Sequence, residues 1–352
     1  MKMKAAILAG KEHFEIKEVE RPRCDHGEVL VKVKACAVCG TDLKIFHSER
    51  KIDVLTTGHE ISGVIEETSD GIKELSVGDR VIIKTVVGCG ECDACRRGEE
   101  NRCRHGYKAI GFHYNGGYAQ FLLIPREAVK QGCIIKIPDN VSFEEATIVE
   151  PFSCVINGWS SFKKREPGFT TAVIGAGIIG MLHVEYAKHL GSRVILINRT
   201  APRLILAQKI GLPVDEFVDG SRFDPIKRVR ELTDGLGADV VICAAPSKDV
   251  QKGALEMAAV DADVSYFAGL PEKDPYTMLN TNLIHYNELH VHGANASSKK
   301  QYLQALSLIA SGKINVKKFI THKFPLEKIA EAMNFLEHRG SNAIKIIIDP
   351  WM

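Results

Sequence analysis

No stretch of the sequence strings together the roughly 18 apolar residues that a membrane-spanning helix needs. The segment Met1 to Gly10 has lysines and a short apolar patch, without the apolar core or small-residue cleavage site of a secretory signal. A protein that stays in the cytoplasm, with no membrane attachment, is expected. Charge of one sign is also missing: 46 Lys and Arg face 44 Asp and Glu, for a formal net charge of +2, and the two signs are mixed along the chain. Nucleic acid or an anionic membrane would call for a concentrated basic face, so small molecules are the expected partners. Internal repeats and low-complexity runs are absent as well. What remains is an ordinary globular composition, 45% hydrophobic and 26% charged. At 352 residues the chain exceeds what one core usually organises, so two domains are expected.

The first part of the chain, residues 1–150, reads as short β-rich runs broken by Gly, Pro and Asp: Ala5 to Leu8, Val29 to Ala35, Gly63 to Glu66, Arg80 to Lys84 and Ala119 to Ile124. Such spacing suggests a barrel-like all-β domain. From Thr170 apolar strands alternate with helical stretches, at Ala172 to Ile174, Val194 to Ile197, Val240 to Cys243, Val264 to Ala268 and Leu289 to Gly293. That alternation requires crossover helices and a parallel sheet, giving an α/β domain over residues 151–293. The remainder, 294–352, carries expected helices at Lys299 to Ser311 and Leu326 to Glu337 and a strand at Ala343 to Ile348.

The strand Ala172 to Ile174 runs directly into Gly175-Ala176-Gly177-Ile178-Ile179-Gly180 and then a helical stretch with Ile179, Leu182, His183, Tyr186, Ala187 and Leu190 on one face. In that setting Gly175 makes the tight turn, Gly177 lets backbone approach a pyrophosphate, and Gly180 packs helix against strand. The helix N-terminus at Ile178 and Ile179 then faces the phosphates. The next strand ends in Asn198-Arg199-Thr200, with Arg203 shortly after. An NAD-selective site places a carboxylate here to hold the ribose hydroxyls and repel a 2′-phosphate. Asn198 lacks that charge, and Arg199, Thr200 and Arg203 offer donors to a phosphate. NAD(P) is the expected cofactor, with NADP favoured.

Cys89, Cys92, Cys95 and Cys103 form C-x2-C-x2-C-x7-C. Four thiolates so spaced on a loop can close tetrahedrally on zinc, leaving no open position, which makes this a structural site. An iron–sulfur cluster, disulfides and idle thiols are the alternatives; the long last gap argues against a cluster. Read as a nucleic-acid finger, the lobe would offer Arg96, Arg97, Arg102 and Arg104, but Glu91, Asp93, Glu99 and Glu100 interleave with them.

Cys39-Gly40-Thr41-Asp42, Gly58-His59-Glu60, the four-cysteine lobe, Gly116-Gly117-Tyr118-Ala119, Glu150-Pro151 and the glycine run occur in one order. With them the whole chain resembles the zinc-containing medium-chain dehydrogenases. Within that family it is most similar to the sorbitol or L-iditol 2-dehydrogenase branch, through Glu150 where alcohol dehydrogenases place a cysteine, Asn282 to Tyr286 and Leu308 to Gly312. The resemblance implies a GroES-like catalytic domain carrying both zincs, a Rossmann domain inserted into it, and residues 294–352 completing the catalytic domain. It also implies a homodimer or homotetramer. By position, Cys39, His59 and Glu150 surround a catalytic zinc, and Glu60 is either a direct ligand or an exchangeable group behind it. Thr41 passes the substrate proton outward. The implied reaction is reversible oxidation of a secondary alcohol of a polyol or sugar to a ketone, with threonine dehydrogenase a close relative.

Overall fold

The computed structural model describes residues 1–49, 54–337 and 342–352. It divides into two units, Met1–Ser153 with Ala296–Met352, and Cys154–Asn295.

The first unit is built around the strand Val29–Ala37, whose β-branched Val29, Val31 and Val33 are fully buried. It pairs antiparallel with Glu60–Thr68, Phe121–Ile124 and Lys345–Asp349. The sheet runs in the order Ile320–Pro325, Lys345–Asp349, Val29–Ala37, Glu60–Thr68, Arg80–Ile83, Ile134–Lys136. Register decides what gathers at one end. Ala37 lies opposite Glu60 on one neighbour and opposite Ile347 on the other. Continuing the second pairing by two residues sets Lys345 beside Cys39. A separate hairpin of Lys2–Gly10 and His13–Glu20 lends Phe14 and Ile16 to the core.

The second unit is a six-stranded, wholly parallel sheet in the order Glu216–Asp219, Arg193–Asn198, Thr170–Ile174, Ala238–Cys243, Ala258–Tyr266, His290–Gly293. In chain order that is 3-2-1-4-5-6, the Rossmann arrangement, and its order reverses beside the first strand. The strand expected at Val264 to Ala268 begins earlier, at Ala258, and Glu216–Asp219 is a strand that the sequence pattern does not mark. No described helix is long and apolar enough to cross a membrane.

The helix Ile178–His189 departs from the one-faced reading. Gly180 to Ala187 are all buried, whereas Ile179 is partly exposed and Leu190 is exposed. The polar residues within that run, His183 and Glu185, are therefore core residues. His183 is fully buried and its Nδ1 accepts a hydrogen bond from Trp159 Nε1 at 2.9 Å, which fixes the neutral tautomer. Burial pushes the imidazole pKa down to about 3. The unfolded chain, with an ordinary histidine, takes up a proton that the folded chain refuses. The contribution of His183 is thus fully present above about pH 6.5 and is lost as pH falls toward 3, by roughly 5 kcal/mol over the whole interval. His183→Gln, which keeps an acceptor for the indole, is expected to flatten the acid limb of a stability–pH curve. An unchanged slope in denaturant titrations between pH 4 and 7 would contradict this.

Candidate active site and cysteine lobe

Cys39 precedes the helix Gly40–Phe46 as its N-cap. Its thiol accepts the Thr41 amide at 3.5 Å, and the Thr41 hydroxyl lies 3.8 Å from the same sulfur. The Asp42 carboxylate closes the cap by accepting the Cys39 amide at 2.8 Å. Across the sheet, His59 and Glu60 open the strand Glu60–Thr68, and both are buried. Ligand atoms of Cys39, His59 and Glu60 all lie within 4.8 Å of one another. Glu150, in the first turn of the helix Val149–Trp159, is not a member of that set, although its charge bears on Glu60.

A thiolate, an imidazole and a carboxylate are a donor set suited to zinc, with a position left for substrate. The surroundings fit a cation. Burial raises the pKa of Glu60 to about 7, with Glu150 adding to the rise and Lys345 opposing it. At His59 burial disfavours the charged ring, but Asp42 and Cys39 outweigh it and hold the pKa well above the usual value. A metal bound there would displace that proton. His59 Nδ1 is 3.5 Å from Asp42 Oδ1, and Phe112 packs against the ring at 4.9 Å between centroids. Two features were not evident in the sequence. Lys345 is 1% exposed and places its Nζ 2.6 and 2.5 Å from the Glu60 oxygens. His47 sits between Glu12 and Glu337, each at 2.9 Å, with its Nδ1 hydrogen-bonded to Glu12.

The four lobe cysteines likewise lie within 4.8 Å of one another. Bonds of about 2.3 Å in a tetrahedron give edges of about 3.8 Å. The Cys89–Cys95 and Cys92–Cys103 sulfurs are 3.9 and 4.0 Å apart, and all ten cysteines are free thiols. Backbone amides hold the Cys92 thiol down to about 6, while burial pushes Cys95 up to about 12. Three of the four lobe arginines are spent on their neighbours: Arg97 on Asp93 and Glu99, Arg102 on Glu99, Arg104 on Asp93. Inward, Glu100 reaches the fully buried Lys84 at 2.7 Å and accepts the Lys299 amide at 3.0 Å.

In the second unit, Gly177 caps the helix Ile178–His189 with no side-chain bond. A Cβ on Gly177 would meet nothing within 4 Å, whereas one on Gly180 would stand 1.8 Å from Gly175 O. Open space thus lies over the helix N-terminus, and close packing lies beneath it. Asn198 Oδ1 accepts the Ala176 amide at 3.1 Å, and its Nδ2 donates to Thr200 O at 2.8 Å. Arg203 Nε donates to Ala176 O at 3.0 Å. Arg199 is exposed.

Residues 25–139 match the family model for the alcohol dehydrogenase GroES-like domain, and residues 179–311 match that for zinc-binding dehydrogenase. An alcohol dehydrogenase of Geobacillus stearothermophilus is 34% identical over 343 residues, covering 94% of this chain and 95% of its own. The chain belongs to the zinc-binding alcohol dehydrogenases. A sorbitol dehydrogenase of Halalkalibacterium halodurans is 30% identical, with 99% of each chain covered. Among solved structures, a zinc-binding dehydrogenase of Sinorhizobium meliloti bound to NADP superposes with a TM-score of 0.88 at 27% identity, covering 99% of this chain and 100% of that one. An Escherichia coli alcohol dehydrogenase complexed with NADH gives 0.87 at 27% identity, with 99% of each chain covered. The protein is an oxidoreductase of CH–OH groups in a family whose cofactors are zinc and a nicotinamide dinucleotide.

The lobe's anchor can be tested without reference to catalysis. Lys84→Met leaves Glu100 buried without its cation and is expected to cost about 3–5 kcal/mol. The readout is a lower urea midpoint. An unchanged midpoint would count against the anchor.

Proposed function

We propose that Cys39 and His59, with a carboxylate from Glu60 or Glu150, hold a catalytic zinc, and that the enzyme interconverts a secondary alcohol of a polyol or sugar derivative and its ketone. The observation that carries this reading is the convergence of Cys39, His59 and Glu60 within 4.8 Å. A zinc held there would supply a Lewis acid to lower the pKa of the alcohol, and a bound nicotinamide would supply the hydride acceptor. The chain's own groups do the rest. Cys39 and His59 fix where the reacting oxygen binds, and the exposed Thr41 hydroxyl beside the Cys39 sulfur receives its proton and hands it outward. Lys345 neutralises Glu60, which keeps the buried site from carrying excess negative charge. The four lobe cysteines hold a second, structural zinc.

The polyol preference draws on the two carboxylates near the site and on the sorbitol dehydrogenase relative. Extra substrate hydroxyls would find partners there. NADP is favoured because Asn198 carries no charge to repel a 2′-phosphate and Arg199 is exposed beside it. The carboxylate in register with Asn198, Asp219, is occupied by the amide and hydroxyl of Ser221.

Cys39→Ser or His59→Ala should nearly abolish turnover while dinucleotide binding survives; wild-type turnover in either variant would refute the metal role. In a panel of polyols, ethanol and L-threonine, kcat/KM is expected to be highest for a polyol. A higher value for ethanol or L-threonine than for every polyol would remove the substrate assignment. For the cofactor, Asn198→Asp combined with Arg199→Ala should shift the kcat/KM ratio toward NAD by more than about tenfold, or roughly 1.4 kcal/mol. A strong NAD preference in the wild type, or no shift in the variant, would show the reading to be wrong.

A further inference from the structure

The run Gly116-Gly117-Tyr118-Ala119 has no part in the chemistry proposed above, yet the fold sets it against both ligand-bearing segments. Its backbone runs alongside the residues leading to His59: Gly116 N donates to Thr56 O at 2.8 Å, Gly117 N to Gly58 O at 2.9 Å and Tyr118 N to Thr57 O at 3.1 Å. The approach is so close that a Cβ on Gly116 would lie 2.3 Å from the oxygens of both Thr57 and Gly58. Tyr118, fully buried, carries its ring under Gly58, and its hydroxyl crosses to the other segment to donate to Asp42 Oδ2 at 2.9 Å.

Asp42 is where the two segments meet. It is 2% exposed. The oxygen that accepts from Tyr118 also accepts the Cys39 amide at 2.8 Å, and its other oxygen lies 3.5 Å from His59 Nδ1. A buried carboxylate with these duties must be held in one rotamer, because a rotation that suits one ligand displaces the other. Its own helix supplies the Cys39 amide, and the Tyr118 hydroxyl supplies the donor from outside the helix.

We propose that Tyr118 is a positioning residue for the catalytic metal, setting Asp42 and through it the separation and orientation of Cys39 and His59. The proposal rests on the reading of those two residues as zinc ligands. A partner of this kind behind metal ligands typically accounts for 10–100-fold in metal affinity.

The test uses the full-length enzyme loaded with zinc, and separately with cobalt(II) as a spectroscopic probe. Tyr118→Phe keeps the ring and deletes the hydroxyl. It is expected to weaken one of the two bound metals about 10–100-fold in chelator competition, leave the lobe metal unchanged, and shift the cobalt ligand-field bands. In an Asp42→Ala background the same substitution should have no further effect on metal affinity. Unchanged affinity and spectrum, a lower melting temperature with neither changed, or an equal loss in the Asp42→Ala background would each overturn the proposal. Asp42→Asn, which keeps volume and loses charge, should weaken the same metal; full retention there overturns it too. Cys39→Ser separates the two levels of argument. If that variant keeps both metals, the ligand assignment itself fails. If it loses one and Tyr118→Phe loses none, only the positioning role fails.

Discussion

Glu60 and Lys345 face each other where water does not reach, at 0% and 1% exposure, and the catalytic unit is arranged around that contact. Bringing either ion out of water alone would cost several kcal/mol, so each is tolerable only beside the other. The pairing is possible because Val29–Ala37 takes Glu60–Thr68 on one side and Lys345–Asp349 on the other, with the polar residues of both neighbours arriving at the same end. Lys345 also donates to Val38 O at 3.2 Å, which ties the chain just ahead of Cys39 to the same point. Any movement of Glu60 must therefore be answered by Lys345.

Much of this was legible in the sequence, and the parts that were not share a cause. Spacing alone singled out the four lobe cysteines, because neighbouring ligands on one loop need little help from the fold. The glycine run was readable because a strand precedes it and a helix follows. Cys39, His59 and Glu60 could be picked by type and by family likeness, but only strand register draws them together. Lys345 and Lys84 gave no signal: a lysine reads as a surface residue until its buried carboxylate is known, and those partners lie elsewhere in the chain. Glu216–Asp219 was missed as a strand because two of its four residues are acidic and it lies at the sheet edge. In the helix Ile178–His189 burial runs from Gly180 to Ala187 and so extends beyond the one expected face, and Glu185 is buried by packing that no periodicity reports.

In the dinucleotide unit a single side chain has two tasks. Asn198 ends the second strand, at the position proposed above to face the ribose. Through its amide it also secures the backbone of Ala176 inside the glycine turn and that of Thr200 beyond it. Arg203 braces the same Ala176 from its carbonyl. On the proposed reading of Asn198 as the ribose-selecting position, turn shape and cofactor choice would be coupled in a way that a lone aspartate would not reproduce, since a carboxylate offers no donor to Thr200 O.

The wide separation of Glu60 and Lys345 along the chain, 285 residues, also orders events during synthesis. The ribosome delivers Cys39, His59 and Glu60 early, then the whole of Cys154–Asn295, and only afterwards the lysine that balances Glu60. Until then the nascent first unit lacks the neighbour of one strand edge and the counter-ion of one buried carboxylate. The parallel-sheet unit has all its strands before that and can fold first. Completion of the first unit's sheet waits for two late β-strands, Ile320–Pro325 and Lys345–Asp349.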